Sequence, residues 1–105
     1  MNNADILELV DKIREQLVRK YKPEKIILFG SAASDNNESN DIDLLIIKKD
    51  VPYYGADRVM EVSRLMEIDC AIDYIIFKPE EVEERLSLGD PFIKNILSMG
   101  KVLYG

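Results

Sequence analysis

The sequence predicts an α/β fold of the α+β kind, one domain in which a small sheet is packed by helices. Three observations predict it. Residues 4–21 carry apolar side chains at helical spacing, three short β-rich apolar runs follow at 25–29, 41–48 and 71–77, and helical or turn-forming segments separate and follow those runs. With 105 residues the chain is expected to form a single domain, 1–105, with room for one core.

In the first helix Ile6, Leu9, Val10, Ile13, Leu17 and Val18 form the apolar stripe, and Pro23 stops it. The run 25–29 ends in Gly30-Ser31, where a short helix is expected to start. Residues 34–40 are polar and read as a loop. The run 41–48 is the second strand, and 51–55, with Pro52 and Gly55, is a loop. Residues 56–67 repeat Val59, Val62 and Met66 at helical spacing, with Met60 and Leu65 widening the stripe. After the third strand, Pro79 suits a first helical turn, and Glu80 and Glu81 suit its positive end. That helix runs to Leu88, Gly89-Asp90-Pro91 breaks it, and a last helix covers about 92–99. Gly100 leads into a short extended tail, 101–104.

Composition narrows the function. Acidic residues outnumber basic ones 20 to 14, the net charge is −6, and the cations are scattered. A grip on extended DNA or RNA needs a basic face, so long nucleic acid is a poor substrate for this chain. With no histidine, any catalysis must run on carboxylates, hydroxyls or lysines. The apolar runs are too short to span a bilayer, and no basic segment followed by an apolar one opens the chain, so neither membrane nor export is expected. One cysteine, Cys70, excludes an internal disulfide and fits a reducing cytoplasm.

Three features carry chemistry. Gly30-Ser31 directly follows a strand; glycine permits a tight turn and close backbone approach, and N–H groups at a helix start attract phosphate. Taken alone, an ordinary capped turn explains it. Asp41-Ile42-Asp43 opens the second strand, so side-chain alternation puts both carboxylates on one face and Ile42 and Leu44 on the other, toward the core. Close carboxylates repel unless a cation or proton intervenes, which suits a hard metal, and a solvated strand end beside a polar loop explains this pair equally well. Asp73 lies in an apolar strand, where burial without a partner is costly, and completes a three-carboxylate cluster if its strand neighbours the second. Asp69 has the same parity, but solvent exposure at a strand start explains it more simply.

The segments Leu28-Phe29-Gly30-Ser31 and Asn40-Asp41-Ile42-Asp43-Leu44-Leu45-Ile46 resemble the Gly-Ser…Asp-x-Asp signature of the DNA polymerase beta-like nucleotidyltransferase superfamily. Chain length points to its minimal nucleotidyltransferase (MNT) branch, whose third-aspartate strand and following helix the segment 72–81 resembles. The resemblance implies the nucleotidyltransferase fold with a small mixed sheet. It implies that Asp41, Asp43 and Asp73 are catalytic and bind metal, two Mg²⁺ ions in all, and that Gly30 and Ser31 hold the triphosphate of a donor such as ATP. It further implies attack of an acceptor hydroxyl on the α-phosphate, with pyrophosphate leaving.

Many relatives carry an arginine and a further glycine after Gly-Ser, whereas this chain has Ala32-Ala33-Ser34-Asp35, which removes a possible phosphate clamp. Lys48 and Lys49 stand at the far end of the second strand and read as a solvated strand end. Residues 78–105 are too few for the helical domain with which larger nucleotidyltransferases hold their acceptor, so a second chain is the natural source of that surface. In the family, MNT proteins often pair with a small helical HEPN protein as antitoxin and toxin, and the antitoxin can attach AMP to a tyrosine of its partner. The competing reading is a module of the same fold that binds nucleotide or partner and neutralises a toxin by contact alone. Elsewhere the plain readings are preferred. Tyr53 and Tyr54 touch the core or a partner, Met60 and Met66 pack on their helix, Tyr104 packs, and Cys70 is a small buried hydrophobe.

Overall fold

The computed structural model describes residues 3–33 and 41–105; the polar stretch 34–40, read above as a loop, lies outside them. Helix α1 (Asn3–Gln16) passes into a π turn (Leu17–Tyr21). Ile6, Val10, Ile13 and Leu17 repeat at intervals of three and four, and all are buried. The turn closes with a wide bond in which the Lys22 N–H donates to the Leu17 carbonyl at 3.0 Å. Lys22 adopts a left-handed conformation (φ 57°) and turns the chain out ahead of Pro23.

Strands β1 (Lys25–Phe29), β2 (Ile42–Ile47), β3 (Ile72–Phe77) and β4 (Lys101–Tyr104) form one sheet in the order β3-β2-β1-β4. β1 is antiparallel to β2 and β4, and β2 is parallel to β3, so the sheet is mixed. A parallel pair needs a crossover, and α2 (Gly55–Leu65) supplies it. The tail 101–104, expected only to be extended, is a fourth strand beside β1. Gly100 allows that approach, because a Cβ there would meet the Ile27 side chain and the Ile96 carbonyl at 2.5 Å.

One face of the sheet packs on α1, the π turn and α2 through Ile26, Leu28, Leu44, Ile46, Val62 and Ile76. The other face carries Ile27 and Leu45 against Ile96 of α4 (Pro91–Met99), with Phe29, Ile75 and Phe77 half-buried at its margin. The middle of β2 is therefore buried on both sides, which is why 44–46 reads as an unbroken apolar run. Helix α3 (Pro79–Ser87) starts where Pro79 predicts, and Glu81 accepts the Lys78 N–H at 2.7 Å. In α4 the Asp90 carboxylate accepts the Phe92 N–H at 2.9 Å, so the expected break is also a helix cap.

Two expectations about α2 fail. The helix ends at Leu65, and Met66 packs against the core from beyond it. Met60 faces solvent and does not widen the stripe. Tyr53 and Tyr54 are 83% and 68% exposed and meet edge-on at 5.0 Å, so they touch each other and not the core.

Candidate functional site

The aspartates gather at one end of the sheet. In the strand ladders Phe29 stands opposite Asp43, and Asp43 opposite Asp73. Residues directly opposite in a ladder project to the same face, so β1, β2 and β3 present Phe29, Asp43 and Asp73 as a row. Asp41, just before β2, shares the parity of Asp43. The condition set by the sequence, that the third strand neighbour the second, is met by parallel pairing through α2.

Burial differs from expectation. Asp73, expected in the middle of an apolar strand where burial is costly, is the second residue of β3 and is exposed, as is Asp41; Asp43 is half-buried. Desolvation therefore falls chiefly on Asp43. Its carboxyl is pushed above the ordinary carboxylate range, first by burial, then by a hydrogen bond with Asp73, then by the charges of Asp73 and Asp41. A hydrogen bond between two carboxyl groups needs a shared proton. A divalent cation can replace that proton, and the oxygen donors suit Mg²⁺. Among the described residues, no group of three His, Cys, Asp or Glu side chains could hold a metal as it stands. Mg²⁺ needs no such cage, since one or two carboxylates plus phosphate oxygens and water satisfy it, and the donor set fits it on those terms.

Gly30 sits against this row. Its φ is +73°, and a Cβ there would drive into the Asp43 carboxylate, with the Asp43 Cγ only 3.3 Å away. The expectation that Ser31 caps the following helix is corrected. The left-handed Gly30 already opens the tight 3₁₀ turn (Gly30–Ala33), so Ser31 lies inside it, exposed. On the same face, a cleft of about 560 Å³ opens between the end of β1 and α4, bounded by Phe29, Gly30, Phe92, Asn95 and Met99. Phe29 and Phe92 meet edge-on at 5.8 Å.

Other polar groups stand away from this row. Asp69 and Cys70 line a groove along the acidic flank of α1, which covers the other face of the sheet. Cys70 is half-buried, and burial and then the Asp69 charge push its thiol up, away from nucleophile behaviour. Lys48 lies over the Tyr21 ring at 5.2 Å and Lys49 pairs with Glu24, both at the far end of β2 as expected.

One buried cation escaped the sequence reading. Arg58 of α2 is 5% exposed and donates to the Pro52 carbonyl at 2.6 Å, the Ile76 carbonyl at 2.9 Å and Glu81 Oε1 at 2.7 Å. It stands four residues before buried Val62, on the apolar stripe, and that spacing was the available signal. Because it is tied to the end of β3 remote from Asp73, it does not replace the missing phosphate clamp. Gln16 was missed as well; its amide exchanges bonds with the Glu67 backbone, accepting from the N–H at 2.8 Å and donating to the carbonyl at 3.3 Å.

Comparison with known proteins identifies the family and the fold. The model of the polymerase beta nucleotidyltransferase family matches residues 11–105. A Methanocaldococcus jannaschii protein named "putative protein adenylyltransferase" is 27% identical over 92 residues, covering 87% of this chain and 86% of that one. The crystal structure of a "putative nucleotidyltransferase" from Sulfolobus solfataricus superposes with a TM-score of 0.56 at 27% identity, covering 78% of this chain and 75% of that one. With a match running from within α1 to the last residue, the chain belongs to the polymerase beta nucleotidyltransferase family.

Proposed function

We propose that this nucleotidyltransferase moves AMP from ATP, with Mg²⁺, to a hydroxyl on a partner protein. The observation that carries the reading is the in-register pair Asp43 and Asp73 beside Gly30. A relative named for protein adenylyl transfer supports the choice of nucleotide and acceptor class. The family resemblance points to a tyrosine of a HEPN-type toxin, which makes the chain an antitoxin.

In the reaction the acceptor oxygen bonds to the α-phosphorus, the bond to the bridging oxygen breaks, and pyrophosphate leaves. Asp41 and Asp43 would hold Mg²⁺, with Asp73 on the acceptor side. Bound there, Mg²⁺ would neutralise the triphosphate and lower the acceptor's pKa. Asp73, exposed beside the pair, would take the hydroxyl proton. Backbone N–H groups at Gly30 and Ser31 would seat the triphosphate, leaving the protein mainly to position groups and balance charge.

The test is incubation with Mg²⁺ and labelled ATP, GTP, CTP or UTP, with and without a candidate partner. Label on the partner, lost in Asp43→Asn, is the expected result. One observation favours a contact-only binding module: Ala32 and Ala33 follow Gly30-Ser31, and Arg58 is committed to Glu81. A partner that binds tightly, is neutralised and never takes label would establish that second reading.

A further inference from the structure

We propose that the cleft between β1 and α4 is the nucleobase pocket of the donor, with Phe92 as its stacking platform and Asn95 as the residue that selects adenine. The proposal rests on the nucleotide reading of the same site.

Three observations carry it. First, the cleft adjoins the site, because Gly30 lines it and packs so near Asp43 that an added Cβ would drive into the carboxylate. Second, none of the residues lining the cleft carries a charge. With the triphosphate kept to the Gly30–Ser31 end, the rest of that neutral lining suits a flat heteroaromatic ring. Third, the lining suits such a ring. Phe92 is 48% exposed and its ring is steadied edge-on by Phe29, leaving π surface for a base. Met99, exposed at the rim, has a flexible thioether that adapts to an aromatic edge. Asn95 is exposed one turn after Phe92, and its side-chain amide makes no hydrogen bond among the described residues. That amide offers a donor and an acceptor side by side, the complement of the N6 and N7 edge of adenine and a mismatch for guanine.

The test measures equilibrium binding of ATP, GTP, CTP and inorganic tripolyphosphate, each with Mg²⁺, to the full chain and to its Phe92→Ala and Asn95→Leu variants. Loss of the stack is expected to weaken ATP roughly tenfold or more and to leave tripolyphosphate unchanged. Asn95→Leu, an exposed helical position, is expected to narrow the preference for ATP over GTP. ATP binding unchanged in both variants would put the base elsewhere and leave the triphosphate site standing, and an equal loss of ATP and tripolyphosphate would deny Phe92 a role specific to the base. If the wild-type chain bound neither ATP nor tripolyphosphate, the nucleotide reading and this pocket would fall together.

Discussion

Asp43 faces Asp73 across the parallel β2–β3 ladder, at the end of the sheet where Gly30 turns the chain, and burial together with Asp73 raises the Asp43 carboxyl pKa. Because the folded-state pKa of Asp43 is raised, the stability that it contributes is present below the unfolded carboxyl value and is lost as pH rises through the folded one. At neutral pH without metal the pair is a net repulsion. Asp43→Asn should therefore melt higher than wild type in EDTA, yet transfer should fall at least about a hundredfold. Mg²⁺ should raise the melting temperature of the wild type and leave the variant nearly unmoved. Paired thermal melts with and without Mg²⁺ check this.

Gly30 and Gly89 both adopt left-handed backbone, with φ of 73° and 77°, but only Gly30 has a close neighbour. Gly89→Ala should cost about 1–2 kcal/mol, the conformational penalty alone. Gly30→Ala should cost more and also displace Asp43, so stability and transfer fall together. Urea titrations of the two variants, read beside transfer rates, separate the effects.

Arg58 ties the loop before α2, the end of β3 and the start of α3 into one cluster. Arg58→Met leaves three carbonyls without that donor and takes the guanidinium away from Glu81, and should destabilise by about 3–5 kcal/mol. The Arg58 hydrogen bond is the leading reason that the Glu81 carboxyl is held below its ordinary range. That contribution is present above the unfolded carboxyl value and is lost as pH falls through the folded one. The variant should therefore show a flatter acid limb in a stability–pH profile.

Tyr21 and Tyr74 have phenols pushed up from 10.0 to about 12, in both cases chiefly by burial. The Tyr21 hydroxyl also lacks a hydrogen-bond partner among the described residues. An unfolded chain releases these protons near pH 10 while the folded chain keeps them. Stability should hold below pH ~10 and decline from there through about 12. Phenolate absorbance should keep a late stage near pH 12, which Tyr21→Phe reduces.

Much of the fold is legible locally. The π turn aside, the helical stripe of α1 and the alternation of β2 are present in the order of residues, and so is the shared face of Asp41 and Asp43. The strand 101–104 was not legible as part of the sheet, because four residues with little burial of their own gain strand character only by pairing with β1. Arg58 was illegible as a core residue because charge normally marks a solvated position. Its burial depends on carbonyls from 52 and 76 and a carboxylate from 81, which helical spacing cannot reveal. Asp73 was placed too deep for a related reason. Apolar neighbours along a strand say nothing about whether the strand's start projects past the helices that cover it.

By itself the sequence determined most of the elements, the parity of each aspartate and the glycine that lets the chain turn beside them. Those properties follow from backbone periods of two and 3.6 residues and from steric limits at single positions. Only the tertiary structure decided that β3 lies parallel to β2 in the register that sets Asp73 opposite Asp43, that β4 closes the other edge, and that a cleft opens beside Gly30. Strand order and register are chosen by which apolar faces can be buried together across long separations in the chain, and no window of neighbouring residues contains that choice.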